Sequence, residues 1–158
     1  MITITFPDGT EKQFKAGITG MEIAQSISEG LARNVLAVGV NGQTWDLNRP
    51  IKEDANVILY TWNDPAGKET FWHSSAHLMA EALESLYPGV KFGIGPPVDQ
   101  GFYYDVDLGD RQLGPEDLSK IEEKMVELAR EKNEYLRREV DKADAVAYFQ
   151  EKGDEYKL

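Results

Sequence analysis

The chain has 158 residues, of which 41% are apolar, a formal net charge of −11 at pH 7 and no cysteine. This length suits one medium or two small domains with a buried core, and the lack of cysteine excludes disulfides and thiolate chemistry in these residues. The acidic balance argues against a free-standing nucleic-acid-binding module, because such modules usually bind phosphates through a basic surface.

The first thirty residues predict a β-hairpin followed by a helix. Apolar and polar residues alternate in residues 1–15 around a Pro-Asp-Gly turn, which is the pattern of two paired strands. Thr19 has a glutamate, Glu22, three residues after it, and this spacing predicts a capping box at the start of a helix. We expect that helix to end at Gly30, since glycine commonly follows the last helical turn.

A second β-rich stretch follows the predicted helix. Residues 35–40 are nearly all apolar, the turn signal Asn-Gly follows, and residues 44–47 form the return strand, which predicts another hairpin. Residues 56–60 are rich in β-branched and aromatic side chains and predict a last strand. The order of hairpin, helix, hairpin and strand is typical of a β-grasp. We therefore predict a first domain at residues 1–62 and, from its Asn, Asp, Pro and Gly content, a linker at residues 63–70.

The second domain is predicted to cover residues 71–158 and to mix helices with short strands. Residues 71–86 repeat apolar side chains at helical spacing. Residues 90–94 and 101–106 have strand-like composition, and the Gly-Pro-Pro between them predicts a rigid irregular segment.

Two further helices are predicted near the C-terminus. Gly114 precedes a proline and two acids, a typical helix start, and the apolar stripe of that helix extends as far as Tyr135. Val140 predicts a short strand. Residues 142–152 predict the last helix, which Gly153 would close.

The chain has two histidines, His73 and His77, and they are four residues apart on the predicted helix. This spacing places both imidazoles on one helix face, where such a pair can bind a metal, share a proton or hold a ribose hydroxyl. A zinc site is not favoured, because zinc needs at least a third protein ligand and Ser74 stands where the HExxH motif has glutamate. The alternative is a pair of half-buried histidines that hydrogen-bond to the backbone.

Three other features are candidates for chemistry. Ser74 and Ser75 could act as nucleophiles, but they lie about 100° and 200° around the helix from His73, so capping or packing is favoured. The glycine-rich residues 93–97 lack the signature of a phosphate loop, and a turn is favoured. Tyr104 and Asp105 could stack a base and bind an amino or hydroxyl group, or the aromatic residues around them could fill a core.

Several of these motifs together resemble a known family. The stretches TGMEIA (residues 19–24) and VNG (residues 40–42) resemble the TGS domain, a ubiquitin-like β-grasp module of threonyl-tRNA synthetases, some GTPases and stringent-response enzymes. The stretches HSSAH (residues 73–77) and GFYYD (residues 101–105) resemble the editing domain of bacterial-type threonyl-tRNA synthetases, to which a domain of alanyl-tRNA synthetase is related. The resemblance covers nearly the whole chain.

The resemblance implies an α+β fold, in which the TGS β-grasp precedes a partial editing domain of the threonyl/alanyl-tRNA synthetase second additional domain type. It implies the N-terminal region of an enzyme that attaches threonine to tRNA(Thr) with ATP and hydrolyses mischarged seryl-tRNA(Thr). In this family the two histidines of the HxxxH motif line the editing pocket, so His73 and His77 would bind or polarise the terminal ribose. Tyr104 and Asp105 would contact the substrate.

The resemblance also sets expectations for ligands and partners. The family's catalytic core uses ATP, threonine and one zinc ion, and it forms the homodimer, but none of those ligands can be assigned to residues of this chain. We expect this fragment to bind no cofactor or metal, to be a monomer and to have little editing activity alone. We also expect a cytoplasmic, non-membrane location, because the N-terminus lacks the pattern of a secretory signal and no apolar run approaches ~20 residues.

Two other functions remain open from the sequence. The chain could be a free-standing hydrolase that edits mischarged tRNA in trans, although the family's pocket includes a later cysteine and histidine that this chain does not contain. It could also be a regulatory module that binds a protein or small ligand through the TGS sheet. The regulatory function would not require His73 or His77.

Overall fold

The computed structural model describes residues 1–157, with the backbone alone for Glu155; Leu158, the last residue of the predicted editing region, lies outside the described residues. The chain forms two compact units, Met1–Phe71 and Trp72–Leu158. Each unit has its own cluster of buried apolar side chains. The mixture of helices and sheets in the chain confirms the predicted α+β class.

The first unit contains a mixed five-stranded sheet with the strand order β2-β1-β7-β4-β5. β1 pairs antiparallel with β2 and parallel with β7, while β4 pairs antiparallel with both β7 and β5. Two short strands, β3 and β6, form a separate antiparallel pair that was not predicted. The elements of this unit are β1 (Ile2–Thr5), β2 (Glu11–Phe14), β3 (Ile18–Thr19), α1 (Gly20–Ile27), α2 (Glu29–Asn34), β4 (Val35–Val40), β5 (Gln43–Trp45), β6 (Pro50–Ile51) and β7 (Ala55–Thr61).

The core of the first unit follows from the alternation of apolar residues in its strands. Ile4 of β1, Val38 of β4 and Val57 of β7 are buried in one cluster, and Ile23 of α1 belongs to the same cluster. Burying each of these side chains contributes about 1.5–3 kcal/mol relative to leaving it in water. The helix-over-sheet arrangement confirms the predicted β-grasp.

The turn and cap signals of the first unit act as predicted, with one correction. Asn41 and Gly42 both have positive φ, 50° and 81°, as a two-residue hairpin turn requires. The Thr19 hydroxyl accepts from the Glu22 amide at 3.2 Å, and the Glu22 carboxylate accepts from the Thr19 amide at 2.9 Å, which completes the capping box. The prediction that this helix ends at Gly30 is wrong. Ser28 adopts an extended backbone, ends α1 and caps α2 instead.

The predicted linker at residues 63–70 is largely helical, because α3 extends over Pro65–Leu86 and thus begins before the predicted start at residue 71. The Asp64 carboxylate accepts from the Thr61 amide at 2.7 Å, and the Asp64 carbonyl accepts from the Lys68 amide at 3.0 Å. An acid before a proline marks a helix start as well as a turn, and here the helix forms.

The second unit combines helices with two antiparallel pairs of two-residue strands. β8 (Lys91–Phe92) pairs with β11 (Val106–Asp107), and β9 (Pro97–Val98) pairs with β10 (Gly101–Phe102). The chain then forms α4 (Pro115–Glu131), α5 (Lys142–Lys152) and a 3₁₀ turn (Glu155–Lys157). The buried cluster of this unit consists of Ala82, Leu83, Tyr87, Ile121 and Leu128.

Three predictions in the second unit are wrong in detail. Residues 101–106 do not form one strand, because the backbone leaves the ladder between β10 and β11. Tyr135 does not continue the stripe of α4, since that helix ends at Glu131 and Lys132 follows with a φ of 55°. Val140 is not in a strand, because no strand of residues 1–157 pairs with it. Its side chain is 56% exposed.

Candidate functional site

The two histidines lie together on the exposed face of α3. Their rings stack with centroids 4.9 Å apart and an angle of 15° between the planes. Both side chains are exposed, whereas Ala76, in the same helical turn, is buried. The sequence spacing therefore predicted the geometry of the pair correctly.

The electrostatic surroundings of His77 favour its neutral form. Partial desolvation lowers the pKa of His77 below its usual 6.5, and the positive charges of His73 and Lys157 lower it further. A neutral imidazole offers one nitrogen as a hydrogen-bond donor and the other as an acceptor. His77 can therefore both accept and donate a proton near neutral pH.

Lys157 of the C-terminal 3₁₀ turn is a site residue that sequence reasoning did not single out. Its ammonium group donates to the carbonyl of Gly93 at 2.7 Å and lies 5.8 Å from the ring centroid of Tyr104. Its charge also acts on His77. No local pattern could have predicted this position, because Lys157 and Gly93 are 64 residues apart in the chain.

Tyr104, a predicted substrate-binding residue, is half-buried and held by its neighbours. Its ring meets Phe92 edge-on, with centroids 5.4 Å apart. It also packs directly on the backbone of Gly95, where an added Cβ would lie 2.5 Å from the ring carbon Cδ2. This close approach therefore requires glycine at position 95. The sequence predicted only a turn at this position.

Asp105, the second predicted substrate-binding residue, has a fixed backbone and an exposed side chain. Its amide donates to the carbonyl of Ile94 at 2.9 Å, and its carbonyl accepts from the amide of Gly93 at 2.8 Å. Two backbone hydrogen bonds thus fix the position from which the carboxylate projects into solvent.

Aromatic contact connects the histidine helix with the segment that carries Tyr104 and Asp105. The ring of Trp72, next to His73 in α3, lies 6.3 Å from the ring of Phe102 between centroids. Together with Lys157, this contact brings the HSSAH and GFYYD motifs into one region of the second unit. Ser74, in contrast, is exposed on another side of α3, as its angular offset predicted.

The histidine pair alone does not fit a zinc ion. Within residues 1–157, no group of three or more His, Asp or Glu side chains is placed to hold a metal. Zinc in proteins has at least three protein ligands. The arrangement is suited instead to proton transfer and hydrogen bonding to a polar substrate.

The first unit has an open polar cavity of ≈ 390 Å³. Its walls include Asn41 and Asp54, whose carboxylate already accepts from the amide of Thr3 at 2.7 Å. In the described part of the chain no charged side chain is fully buried. The cavity therefore indicates no particular ligand.

The class of the first unit is shown by comparison with known families. The TGS domain family matches residues 2–61, which are the residues of the mixed sheet and its helices. The similarity to the TGS domain family is therefore confined to the first unit.

Comparison with individual proteins extends the similarity over the second unit. The chain is 63% identical over its full length to the threonine–tRNA ligase of Cytophaga hutchinsonii, 58% identical to that of Porphyromonas gingivalis and 49% identical to that of Flavobacterium psychrophilum. It spans 24% of the length of each of these relatives. The chain is thus similar, along its whole length, to the N-terminal regions of bacterial threonine–tRNA ligases, as the motifs predicted. No helix in residues 1–157 is long and apolar enough to cross a membrane.

Proposed function

We propose that this chain is the N-terminal region of a threonine–tRNA ligase and that its second unit contributes to the hydrolysis of mischarged seryl-tRNA(Thr). The observation that carries the proposal is the exposed, stacked pair of His73 and His77, in a chain 63% identical to a threonine–tRNA ligase. Threonine and serine differ by one methyl group, which provides only ~1–3 kcal/mol of discrimination, so a second, hydrolytic site is needed for accuracy.

The reaction requires a water molecule to lose a proton and a ribose oxygen to leave the ester. A neutral imidazole within hydrogen-bond reach of the water can accept that proton, and its partner can donate to the ribose hydroxyl. The lowered pKa of His77 supports the first role, because the ring stays neutral down to a lower pH than a free histidine. His73, whose ring stacks on it, then holds the terminal ribose.

Other residues of the region supply charge and position. Lys157 carries a positive charge near His77, where it would stabilise the oxyanion of the tetrahedral intermediate or a backbone phosphate. The Asp105 carboxylate, exposed on a fixed backbone, would bind the ammonium group of the seryl ester, and Tyr104 would position the adjacent chain. Because the chain has a net charge of −11, most of the affinity for tRNA must come from elsewhere in the enzyme.

The remaining properties of the enzyme belong, in this proposal, to residues outside this chain. The attachment of threonine to tRNA with ATP, the zinc ion and the homodimer interface are assigned to the catalytic core. A cytoplasmic location follows from participation in protein synthesis. The isolated chain is expected to show little or no hydrolysis of seryl-tRNA.

The test uses a chimera in which this chain replaces the matching quarter of the Cytophaga hutchinsonii enzyme, to which it is similar along its full length. Hydrolysis of purified seryl-tRNA(Thr) is measured for the chimera and for its His73→Ala, His77→Ala double variant. We expect the double variant to be slower by ~10²–10⁴-fold, the usual contribution of positioned acid–base groups.

A Ser74→Ala variant is the matched control, because Ser74 lies on the same helix between the two histidines and is exposed. It should hydrolyse seryl-tRNA at the rate of the unmodified chimera. Equal rates for the double variant and the unmodified chimera would refute the histidine assignment. A large loss in the Ser74→Ala variant would instead indicate a serine nucleophile.

The two other functions give different results. A trans-editing hydrolase would hydrolyse seryl-tRNA as the isolated chain, without the rest of the chimera. A regulatory TGS module would keep its function in the double-histidine variant.

A further inference from the structure

The C-terminal 3₁₀ turn is held against the strand pair β8 and β11 by two consecutive residues. The Tyr156 hydroxyl donates to Oδ2 of Asp107, the last residue of β11, at 3.1 Å. The Lys157 ammonium donates to the carbonyl of Gly93, which directly follows β8, at 2.7 Å. These two hydrogen bonds hold the turn at two different points of the strand pair.

The carboxylate of Asp107 is arranged to accept the hydrogen bond from Tyr156. Its other oxygen, Oδ1, accepts from the amide of Gly109 at 2.8 Å, which fixes the orientation of the group. The hydrogen bonds from Gly109 and Tyr156 lower the pKa of Asp107 below its usual value. The carboxylate is therefore charged near neutral pH, and hydrogen bonds to charged groups are stronger than those between neutral groups.

Lys91 approaches the same tyrosine from the other strand of the pair. It lies directly opposite Asp107 in the ladder between β8 and β11. Its ammonium is 5.9 Å from the centroid of the Tyr156 ring, within the distance at which a cation is attracted to an aromatic face. Tyr156 is thus held at its hydroxyl by an acid and at its ring by a base.

The residue that follows Tyr156 is Lys157, whose charge reaches the candidate site. Its ammonium lies 5.8 Å from the ring centroid of Tyr104. Desolvation and the charge of His73 lower the pKa of His77, and the charge of Lys157 lowers it further. A lysine side chain is long and flexible, so its ammonium stays in one place only where the adjacent backbone is also held.

We propose that Tyr156 is a positioning residue, which keeps the ammonium of Lys157 beside Tyr104. The proposal rests on the proposed function, because the hydrolysis of seryl-tRNA is the reaction that Lys157 would serve. The competing explanation is that the backbone carbonyl that accepts from Lys157 holds it alone. The position of Lys157 can be measured without the reaction, so the positioning and the function can fail separately.

The position of Lys157 is tested by the pH titration of His77, followed by nuclear magnetic resonance in the whole chain. Lys157→Met sets the reference, because it removes one positive charge and should raise the pKa of His77. Tyr156→Phe removes a hydroxyl but no charge. It should raise the pKa of His77 by a smaller amount, because Lys157 keeps its charge but is less closely held. Added to Lys157→Met, it should have no further effect, since the charge that it positions is gone.

Asp107→Ala separates positioning from direct electrostatics by the sign of its effect. The loss of a nearby negative charge would by itself lower the pKa of a histidine. Release of Tyr156, and with it of Lys157, would instead raise the pKa of His77. We expect a rise, in the same direction as with Tyr156→Phe.

Tyr148→Phe controls for the loss of a tyrosine hydroxyl. Tyr148 is 56% exposed and Tyr156 is 55% exposed, and a lysine ammonium lies 6.0 Å and 5.9 Å, respectively, from the centroids of their rings. Tyr148→Phe should leave the titration of His77 unchanged. Thermal unfolding of both phenylalanine variants should match that of the unmodified chain, which would show that the fold is intact.

The effect of the positioning on the reaction is tested in the chimera with the Cytophaga hutchinsonii enzyme. Tyr156→Phe should lower the kcat for hydrolysis of seryl-tRNA(Thr) about 2–10-fold, as expected for the loss of one hydrogen bond, with little change in KM. In a chimera that already carries Lys157→Met, the same substitution should not lower the rate further.

The proposal would be overturned if Lys157→Met shifted the titration of His77 and Tyr156→Phe did not, because the carbonyl of Gly93 would then hold Lys157 alone. It would also be overturned if Lys157→Met left that titration unchanged, or if Tyr156→Phe did not slow a chimera that the double-histidine substitution slows. If the titrations shift as expected but the double-histidine chimera keeps its full rate, the proposed function fails and the positioning of Lys157 by Tyr156 is supported.

Discussion

The two units of the chain differ in how completely they bury their apolar side chains. The first has a five-stranded sheet, and Ile4, Ile23 and Val38 are entirely inaccessible to solvent. In the second, each described strand has only two residues, and more than twice as many large apolar side chains are exposed in the described part of the chain. The candidate site lies in the second unit. Its residues His73, His77, Asp105 and Lys157 are exposed, so their replacement should affect chemistry more than folding.

The largest expected effect on stability is in the core of the first unit. Ile4→Ala removes a fully buried side chain of β1 from the cluster that it forms with Val38 and Val57, and should lower the free energy of unfolding by about 2–5 kcal/mol. Ile58→Ala, on the same sheet but 41% exposed, is the matched control and should cost much less. Denaturant unfolding measures both. Equal losses would show that the first unit is less well packed than its burial indicates.

A smaller effect, centred on the site, is expected from Gly95→Ala. The new Cβ would approach the base of the Tyr104 ring to 2.5 Å, so the ring must move at a cost of about 1–3 kcal/mol. Hydrolysis of seryl-tRNA by the chimera should fall at the same time. A Tyr104→Ala change in the same chain removes the clash, so adding Gly95→Ala to it should cost little further stability. Additive losses would contradict the packing of Tyr104 on Gly95.

The capping box of the first unit should contribute less again. Thr19→Ala removes the hydroxyl that accepts from the Glu22 amide and should lower the free energy of unfolding by about 1 kcal/mol. Thr19→Ser keeps a hydroxyl and should retain most of the stability. Thermal unfolding of the three proteins makes the comparison, and an equal loss in both variants would assign the effect to the methyl group of threonine.

The smallest expected effect is a shift in the titration of His77. Because its pKa in the folded chain lies below 6.5, the unfolded state binds more protons between that pKa and 6.5. As far as His77 determines it, the free energy of unfolding is therefore highest above pH 6.5 and decreases as the pH falls towards the pKa of His77. Lys157→Met should raise the pKa of His77, since it removes one positive charge, but not fully to 6.5, because desolvation is the larger cause.

Nuclear magnetic resonance can follow this titration directly, because the chain has only two histidines. Lys152→Met is a suitable control, since that lysine pairs with Glu84 at 2.9 Å and does not contribute to the pKa shift of His77. An identical His77 titration in the Lys157→Met and unmodified chains would remove Lys157 from the site.

The local patterns of the sequence predicted the β-grasp and the histidine pair, because both depend on short-range rules. Alternation placed Ile4 inside the sheet, and the i, i+4 spacing brought the imidazoles together. Lys157 could not be predicted, because its contact with Gly93 joins residues 64 apart in the chain. The packing of Tyr104 on Gly95 could not be predicted either, because no rule of composition or spacing determines which ring lies against a glycine. Val140 was wrongly predicted as a strand because strand composition does not ensure that a partner strand is present.

The central claim, that His73 and His77 serve proofreading, is tested most directly by supplying the chimera with serine instead of threonine and measuring the seryl-tRNA(Thr) that accumulates. Attachment of threonine by the same preparation serves as the internal control. The account predicts that the His73→Ala, His77→Ala variant accumulates seryl-tRNA while its rate of threonine attachment is unchanged. If threonine attachment is normal and no more seryl-tRNA accumulates than with the unmodified chimera, the claim is contradicted.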